Sequence, residues 1–108
     1  MASRTPLPVT GAWRVGDPVG QRKFFTYPGD RRLALDNGTV MSGIVAAYET
    51  WGQLNADASN AILLCHAWTG DSHASGRAED GHLAPGWWES AVGPGLAIDT
   101  NQWFVVCA

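Results

Sequence analysis

Residues 61–73 carry the residue types and the order that best suit catalysis. Residues 61–66 (AILLCH) form a continuous apolar run, which is typical of a strand covered on both faces of a parallel sheet. The run ends in the small and polar residues 67–73 (AWTGDSH). Open α/β sheets bind their ligands in loops of this kind, at the carboxyl ends of the strands. A backbone N–H in such a loop can stabilise the negative charge that develops on a carbonyl oxygen during acyl transfer.

Ser72 offers a second kind of chemistry, because residues 70–74 (GDSHA) depart from the G-x-S-x-G nucleophile motif only at the last position. A nucleophile of that type sits on a turn from a strand into a helix. The residues after Ser72 begin a helix poorly. Asp80 and His82 do follow in the order Ser, Asp, His, but within ten residues, whereas triad residues come from separate loops. We therefore do not assign Ser72 as a nucleophile.

A loose group of histidines and aspartates in the same region raises the question of a metal site. Its members are His66, Asp71, His73, Asp80 and His82. Their spacing matches neither paired C-x-x-C motifs nor H-E-x-x-H. We predict no metal site and interpret His66 as a residue that caps the strand.

The elements that must position this loop are mainly strands. Asp36-Asn37-Gly38 predicts a hairpin turn, since Asn-Gly supplies the positive φ values of a tight loop. A short helix is predicted over residues 87–92, stopped by Gly93-Pro94-Gly95. The predicted strands are residues 23–27, 31–35, 44–50, 61–66 and 103–107.

This order of elements predicts an α/β fold that opens with antiparallel strands and continues with a βαβ unit. The βαβ unit would consist of the strand at 61–66, the helix at 87–92 and the strand at 103–107. The resulting sheet would be incomplete. Residues 1–20 are rich in proline and glycine and predict a loose N-terminal arm, which leaves residues 21–108 as the α/β core.

The composition indicates a globular protein without a nucleic-acid or membrane partner. Apolar residues make up 45% of the 108 residues, and the formal net charge is −3, so no basic surface is predicted. No apolar run approaches the roughly 18 residues of a membrane span, and residues 1–10 lack the apolar segment of a signal peptide. Cys65 and Cys107 both lie in apolar runs. We predict two buried free thiols and a reducing, cytosolic compartment.

Four stretches, in matching order and spacing, resemble homoserine O-acetyltransferases. Residues 66–73 (HAWTGDSH) are similar to the H-A-L-T-G-D-S-H stretch of that family. The other three are residues 45–52 (VAAYETWG), residues 86–89 running into 92–95 (GWWE and VGPG), and residues 97–100 leading to 104–107 (AIDT and FVVC). The resemblance covers roughly residues 20 to 108.

The resemblance implies the N-terminal part of an α/β-hydrolase fold with a Ser-His-Asp triad. It implies transfer of an acetyl group from acetyl-CoA, a co-substrate, to L-homoserine in methionine biosynthesis, by a cytoplasmic homodimer without a metal or bound cofactor. In this family the residue at the Trp68 position donates its backbone N–H to the oxyanion hole. Ala67, Trp68, Thr69 and Gly70 would line the substrate site. The family's nucleophile, Asp and His lie beyond Ala108, so the fragment is expected to be inactive alone.

Two alternatives stay open from the sequence. The same fold could transfer a succinyl group or act on serine, because loops outside these residues share in that choice. The chain could also be a non-catalytic interaction protein that pairs an exposed strand edge with a partner.

Overall fold

The computed structural model describes residues 13–108, which form eight strands and no helix. Residues 1–12, most of the predicted N-terminal arm, lie outside the described residues. The strands are β1 (Lys23–Thr26), β2 (Leu33–Ala34), β3 (Val40–Met41), β4 (Val45–Trp51), β5 (Ala61–Leu64), β6 (Val92–Gly93), β7 (Ile98–Asp99) and β8 (Phe104–Cys107). Across this range there is also no helix long and apolar enough to cross a membrane.

Four strands form the main sheet, in the order β1-β4-β8-β5. β1 pairs with β4 and β4 with β8 in antiparallel fashion, whereas β5 and β8 are parallel. In this register Cys107 lies opposite both Glu49 on β4 and Leu64 on β5. The last strand is therefore an inner strand, and the free edges of the described sheet are β1 and β5.

The predicted hairpin is confirmed at residues 36–38, but the positive φ expected at both Asn37 and Gly38 is found at Gly38 alone. Leu35 N–H donates to the Thr39 carbonyl at 2.8 Å, and Gly38 has a φ of +84°, a backbone conformation that glycine adopts without strain. The arms of the hairpin are the two-residue strands β2 and β3. The longer strand that follows, β4, pairs with β1 instead.

The predicted helix over residues 87–92 is wrong. The segment consists of turns that run into β6, and the connection from β5 to β8 contains the short parallel ladder of β6 and β7 in place of a helix. The physical reason is that the segment is short and its end pairs with β7: Ile98 N–H donates to the Ala91 carbonyl at 2.8 Å, and the ladder of β6 and β7 begins at Val92. A helix this short is not stable without favourable tertiary contacts, and here those contacts favour turns and a strand.

The hydrophobic core is small and lies on one face of the sheet. Its buried members are Leu64, Ala74, Val92, Val105 and Cys107, with Trp51, Ile62 and Ile98 packed against them. Full burial of a large apolar side chain contributes about 1.5–3 kcal/mol. The prediction that β5 is covered on both faces is not met within the described residues, since 67% of Leu63 is exposed.

The two cysteines differ in environment, which corrects the prediction that both are buried. Both are free thiols, but Cys65 is exposed and only Cys107 is buried. Burial raises the pKa of the Cys107 thiol to about 11. Cys107 therefore stays a protonated, unreactive core residue at neutral pH.

Candidate functional site

The turn predicted to carry the chemistry directly follows β5. It is closed by a hydrogen bond of 2.8 Å from Gly70 N–H to the Ala67 carbonyl. Trp68, at the top of the turn, is fully exposed. Its N–H donates to no acceptor in the part of the chain that the structure describes. A backbone donor at the carboxyl end of a parallel strand is thus left available.

A cleft of about 380 Å³ lies beside this turn. It is lined by Trp13, Arg22, Phe24, Val45, Ala47, His66, Gly70, Asp71, Ser72 and Ala108. Gly70 is the one predicted substrate-lining residue that borders the cleft. Ala67, Trp68 and Thr69 are exposed beside it.

Behind the turn lies a buried polar cluster, which we define as Glu49, Ser72, His73 and His82. The two oxygens of Glu49, which is 1% exposed, bind two consecutive residues of the loop. Oε2 accepts from Ser72 Oγ at 2.7 Å, and Oε1 lies 2.8 Å from His73 Nδ1. His73 Nε2 lies 3.1 Å from the Arg77 carbonyl. Both ring nitrogens of His73 thus lie within hydrogen-bond distance of an oxygen.

His82, the fourth member of the cluster, is neutral. Its Nε2 accepts a hydrogen bond of 2.8 Å from Gln21 N–H, which requires an unprotonated nitrogen at that position. Desolvation lowers the pKa of His82, although the nearby Glu49 carboxylate acts in the opposite direction. The proton then lies on Nδ1, a buried atom with no hydrogen-bond partner among residues 13–108.

Glu49, His73 and His82 are close enough together to raise the question of a metal ion, since one ligand atom from each lies within 4.8 Å of the others. The rings of His73 and His82 are stacked, with centroids 3.7 Å apart and planes 9° apart. A metal ion binds imidazole along the nitrogen lone pair, in the plane of the ring. Parallel stacked rings have no such point in common, so the two histidines do not suit a shared ion.

The loop between the turn and the cluster is anchored through Asp71. Its Oδ1 accepts from His73 N–H at 2.9 Å, and its carbonyl accepts from Trp87 Nε1 at 2.9 Å. Its Oδ2 lies 3.8 Å from Arg22 Nη2. The exposed turn is thus followed at once by a residue that is tied to three other parts of the chain.

The chain is similar to curated homoserine O-acetyltransferases. It is 54% identical over 101 residues to the homoserine O-acetyltransferase of Thermobifida fusca, an alignment that covers 94% of this chain and 26% of the relative. Over nearly its whole length, the chain is thus similar to the first quarter or so of a homoserine O-acetyltransferase. It spans about a quarter of the length of the curated relatives it matches. No family model matches.

Solved structures agree with this family and identify the fold. The crystal structure of homoserine O-acetyltransferase from Bacillus anthracis matches with a TM-score of 0.68 and 40% identity, over 80% of this chain and 22% of that chain. Esterase E22 matches with a TM-score of 0.69 and 35% identity, over 80% of this chain and 23% of that chain. The predicted fold class, the N-terminal part of an α/β-hydrolase fold, is confirmed, although its βαβ connection lacks the helix.

Only some of the histidines and aspartates that the sequence suggested as a possible metal site lie together in the structure. His73 and His82 come together, whereas Asp80 is exposed and His66 Nδ1 lies 2.6 Å from the carbonyl of Ala67. Ser72 is buried, with its hydroxyl bound to Glu49, an environment that does not suit a nucleophile.

Sequence reasoning missed the role of Glu49. The available signal was a lone carboxylate within β4, a strand whose other residues are small, aromatic or β-branched. A charged side chain at such a position is almost never fully buried unless it is paired. Its partners, 23 and 24 residues further along the chain, were not evident from spacing.

Proposed function

We propose that this chain supplies one side of the oxyanion hole of a homoserine O-acetyltransferase. The complete enzyme would transfer an acetyl group from acetyl-CoA to the hydroxyl of L-homoserine, a step of methionine biosynthesis. The observation that carries the proposal is the available Trp68 N–H at the carboxyl end of β5, in a chain 54% identical to a curated homoserine O-acetyltransferase. The distance from Trp68 to a substrate depends on residues outside this segment.

In the proposed mechanism, a serine hydroxyl attacks the thioester carbonyl of acetyl-CoA, and a histidine accepts the serine proton. The carbon–sulfur bond breaks, coenzyme A leaves as the thiol with that proton, and the acetyl group stays on the serine. The hydroxyl of homoserine then attacks this ester, again with histidine as the base. The bond between the acetyl carbon and the serine oxygen breaks, the serine oxygen takes up the proton from histidine, and O-acetylhomoserine leaves. Each attack places negative charge on the former carbonyl oxygen, which the Trp68 N–H would stabilise together with the N–H that follows the nucleophile.

The polypeptide of 108 residues is expected to be inactive by itself. Its one serine with a nucleophile-like context, Ser72, is 5% exposed and bound to Glu49. By the same family resemblance we propose a cytoplasmic homodimer that uses acetyl-CoA as co-substrate and needs no metal or bound cofactor.

Ester hydrolysis is the second candidate, because esterase E22 matches 80% of this chain with a TM-score of 0.69. The oxyanion hole of an esterase stabilises the same tetrahedral oxygen, and only the final acceptor differs, with water in place of the homoserine hydroxyl. Transfer of a succinyl group is an acyl-donor variant of the leading proposal.

The test uses the complete polypeptide that contains these residues, assayed with acetyl-CoA and succinyl-CoA in the presence and absence of L-homoserine, and with a chromogenic acetyl ester. Formation of O-acetylhomoserine from acetyl-CoA supports the proposal. Hydrolysis without transfer to homoserine would favour an esterase.

Trp68→Pro tests the donor directly, because proline has no N–H. Loss of one oxyanion-hole donor typically lowers kcat by about 10²–10³-fold. The matched control is Trp68→Ala, which keeps the backbone N–H and removes only an exposed ring, and we expect its kcat to stay within about threefold of the wild type. Equal activities in the two variants would contradict the assignment of Trp68.

A further inference from the structure

The buried Glu49 carboxylate joins the main sheet to the loop that follows β5. Glu49 lies on β4, between β1 and β8 in the main sheet, and is 1% exposed. Its two oxygens bind Ser72 and His73, which are adjacent in the chain. One rigid strand thus fixes two consecutive residues of one loop.

The turn at residues 67–70 is held at both ends and exposed between them. At its start, β5 is fixed by the pairing of Leu64 with Cys107. At its end, Asp71 binds His73 N–H and Trp87 Nε1, and Ser72 and His73 bind Glu49. The position of the Trp68 N–H therefore depends on contacts made three to five residues later in the chain.

We infer that Glu49 and His73 are positioning residues that hold the turn at residues 67–70 so that its backbone N–H meets the developing oxyanion. This inference rests on the proposed acyl-transfer function. Donors of this kind act because they are preorganised, and a displacement of about 1 Å can cost about 100-fold in rate. Neither residue touches the substrate in this account. Both act through the loop.

The test compares Glu49→Gln with Glu79→Gln in the complete polypeptide. Glutamine keeps the volume of glutamate, but its NH2 group must face either Ser72 or His73, so one of the two hydrogen bonds donated to residue 49 is lost or reversed. Glu79 is a matched control, because it accepts a hydrogen bond of 2.9 Å from Gln21 Nε2 and does not contact the turn. We expect Glu49→Gln to lower kcat by about 10- to 100-fold. The KM for homoserine should change by less than threefold, and Glu79→Gln should behave as the wild type.

A second readout separates positioning from a general loss of structure. A small alkylboronic acid forms a tetrahedral adduct with a serine nucleophile and places an anionic oxygen in the oxyanion hole. In Glu49→Gln its inhibition constant should rise by about the factor by which kcat falls, after correction for the folded fraction. Ser72→Ala should show a smaller effect of the same kind, and adding it to Glu49→Gln should cost little more, because both changes act on one network.

The inference is overturned if Glu49→Gln keeps wild-type kcat and boronate affinity, or if its lost activity matches a lost folded fraction with unchanged boronate affinity. If Glu49→Gln does not fold, Ser72→Ala and His73→Asn give the same two readouts, since each removes only part of the network. A wild-type polypeptide with no acyl-transfer or esterase activity would overturn the proposed function itself, which distinguishes the two failures.

Discussion

Two consecutive parts of one loop have opposite environments. Residues 67–69 are exposed, and Trp68 contacts so little that its whole side chain is open to solvent. Residues 72–74 are buried, and Ser72 and His73 are bound to Glu49. The exposed part can present a backbone donor to a ligand because the buried part fixes where that donor lies. The exposed part therefore carries the group that would act on the ligand, and the buried part carries the groups that orient it.

The largest effect on stability is expected when the Glu49 carboxylate, which holds the buried part of the loop, is removed. Glu49→Ala leaves His73 and Ser72 without their acceptor inside the protein, and each buried polar group left unsatisfied costs about 1–3 kcal/mol. We expect a clear fall in the melting temperature of the complete polypeptide. Glu89→Ala, which removes an exposed carboxylate, should change stability by no more than about 0.5 kcal/mol. Equal melting temperatures for the two variants would contradict the role of Glu49 as an anchor.

A smaller loss of stability is expected at acidic pH, because His82 then becomes protonated. Its pKa is lowered from the ordinary value of 6.5, mainly by desolvation, so the folded protein resists protonation more than the unfolded chain does. The stability due to neutral His82 is therefore present above about pH 6.5 and is lost as the pH falls from there towards the folded-state pKa. Protonation would also place an N–H donor against Gln21 N–H.

The measurement is the melting temperature of wild type and His82→Gln between pH 8 and pH 5. Glutamine can still accept from Gln21 N–H but does not titrate. We expect the wild type to lose stability relative to the variant as the pH falls below about 6.5. A constant difference across this range would show that His82 is not held neutral by the fold.

The smallest effect is expected in the exposed part of the loop. Because the Trp68 side chain is fully exposed, Trp68→Ala should change the free energy of unfolding by no more than about 0.5 kcal/mol. Chemical denaturation of the complete polypeptide measures this change. A loss above about 1 kcal/mol would mean that the ring packs against a surface outside residues 13–108.

Several elements of the fold could be predicted from residues that are close together in the chain. The Asn37-Gly38 dipeptide specified its hairpin turn, and the apolar runs at 61–64 and 104–107 became β5 and β8. The helix predicted over residues 87–92 failed because the segment is short and its end pairs with β7, where Ile98 N–H donates to the Ala91 carbonyl. The sequence of the segment does not show this partner, because β7 lies outside it.

The sequence by itself determined the resemblance to homoserine O-acetyltransferases, the strands β1, β4, β5 and β8 and the loop after β5, because each depends on residues that are neighbours in the chain. Only the tertiary structure decided that Glu49 anchors Ser72 and His73, and that the rings of His73 and His82 stack. Those contacts join residues 9 to 24 positions apart. They form because β4, β8 and the loop after β5 meet around one buried carboxylate, which must find its partners inside the protein once water is excluded.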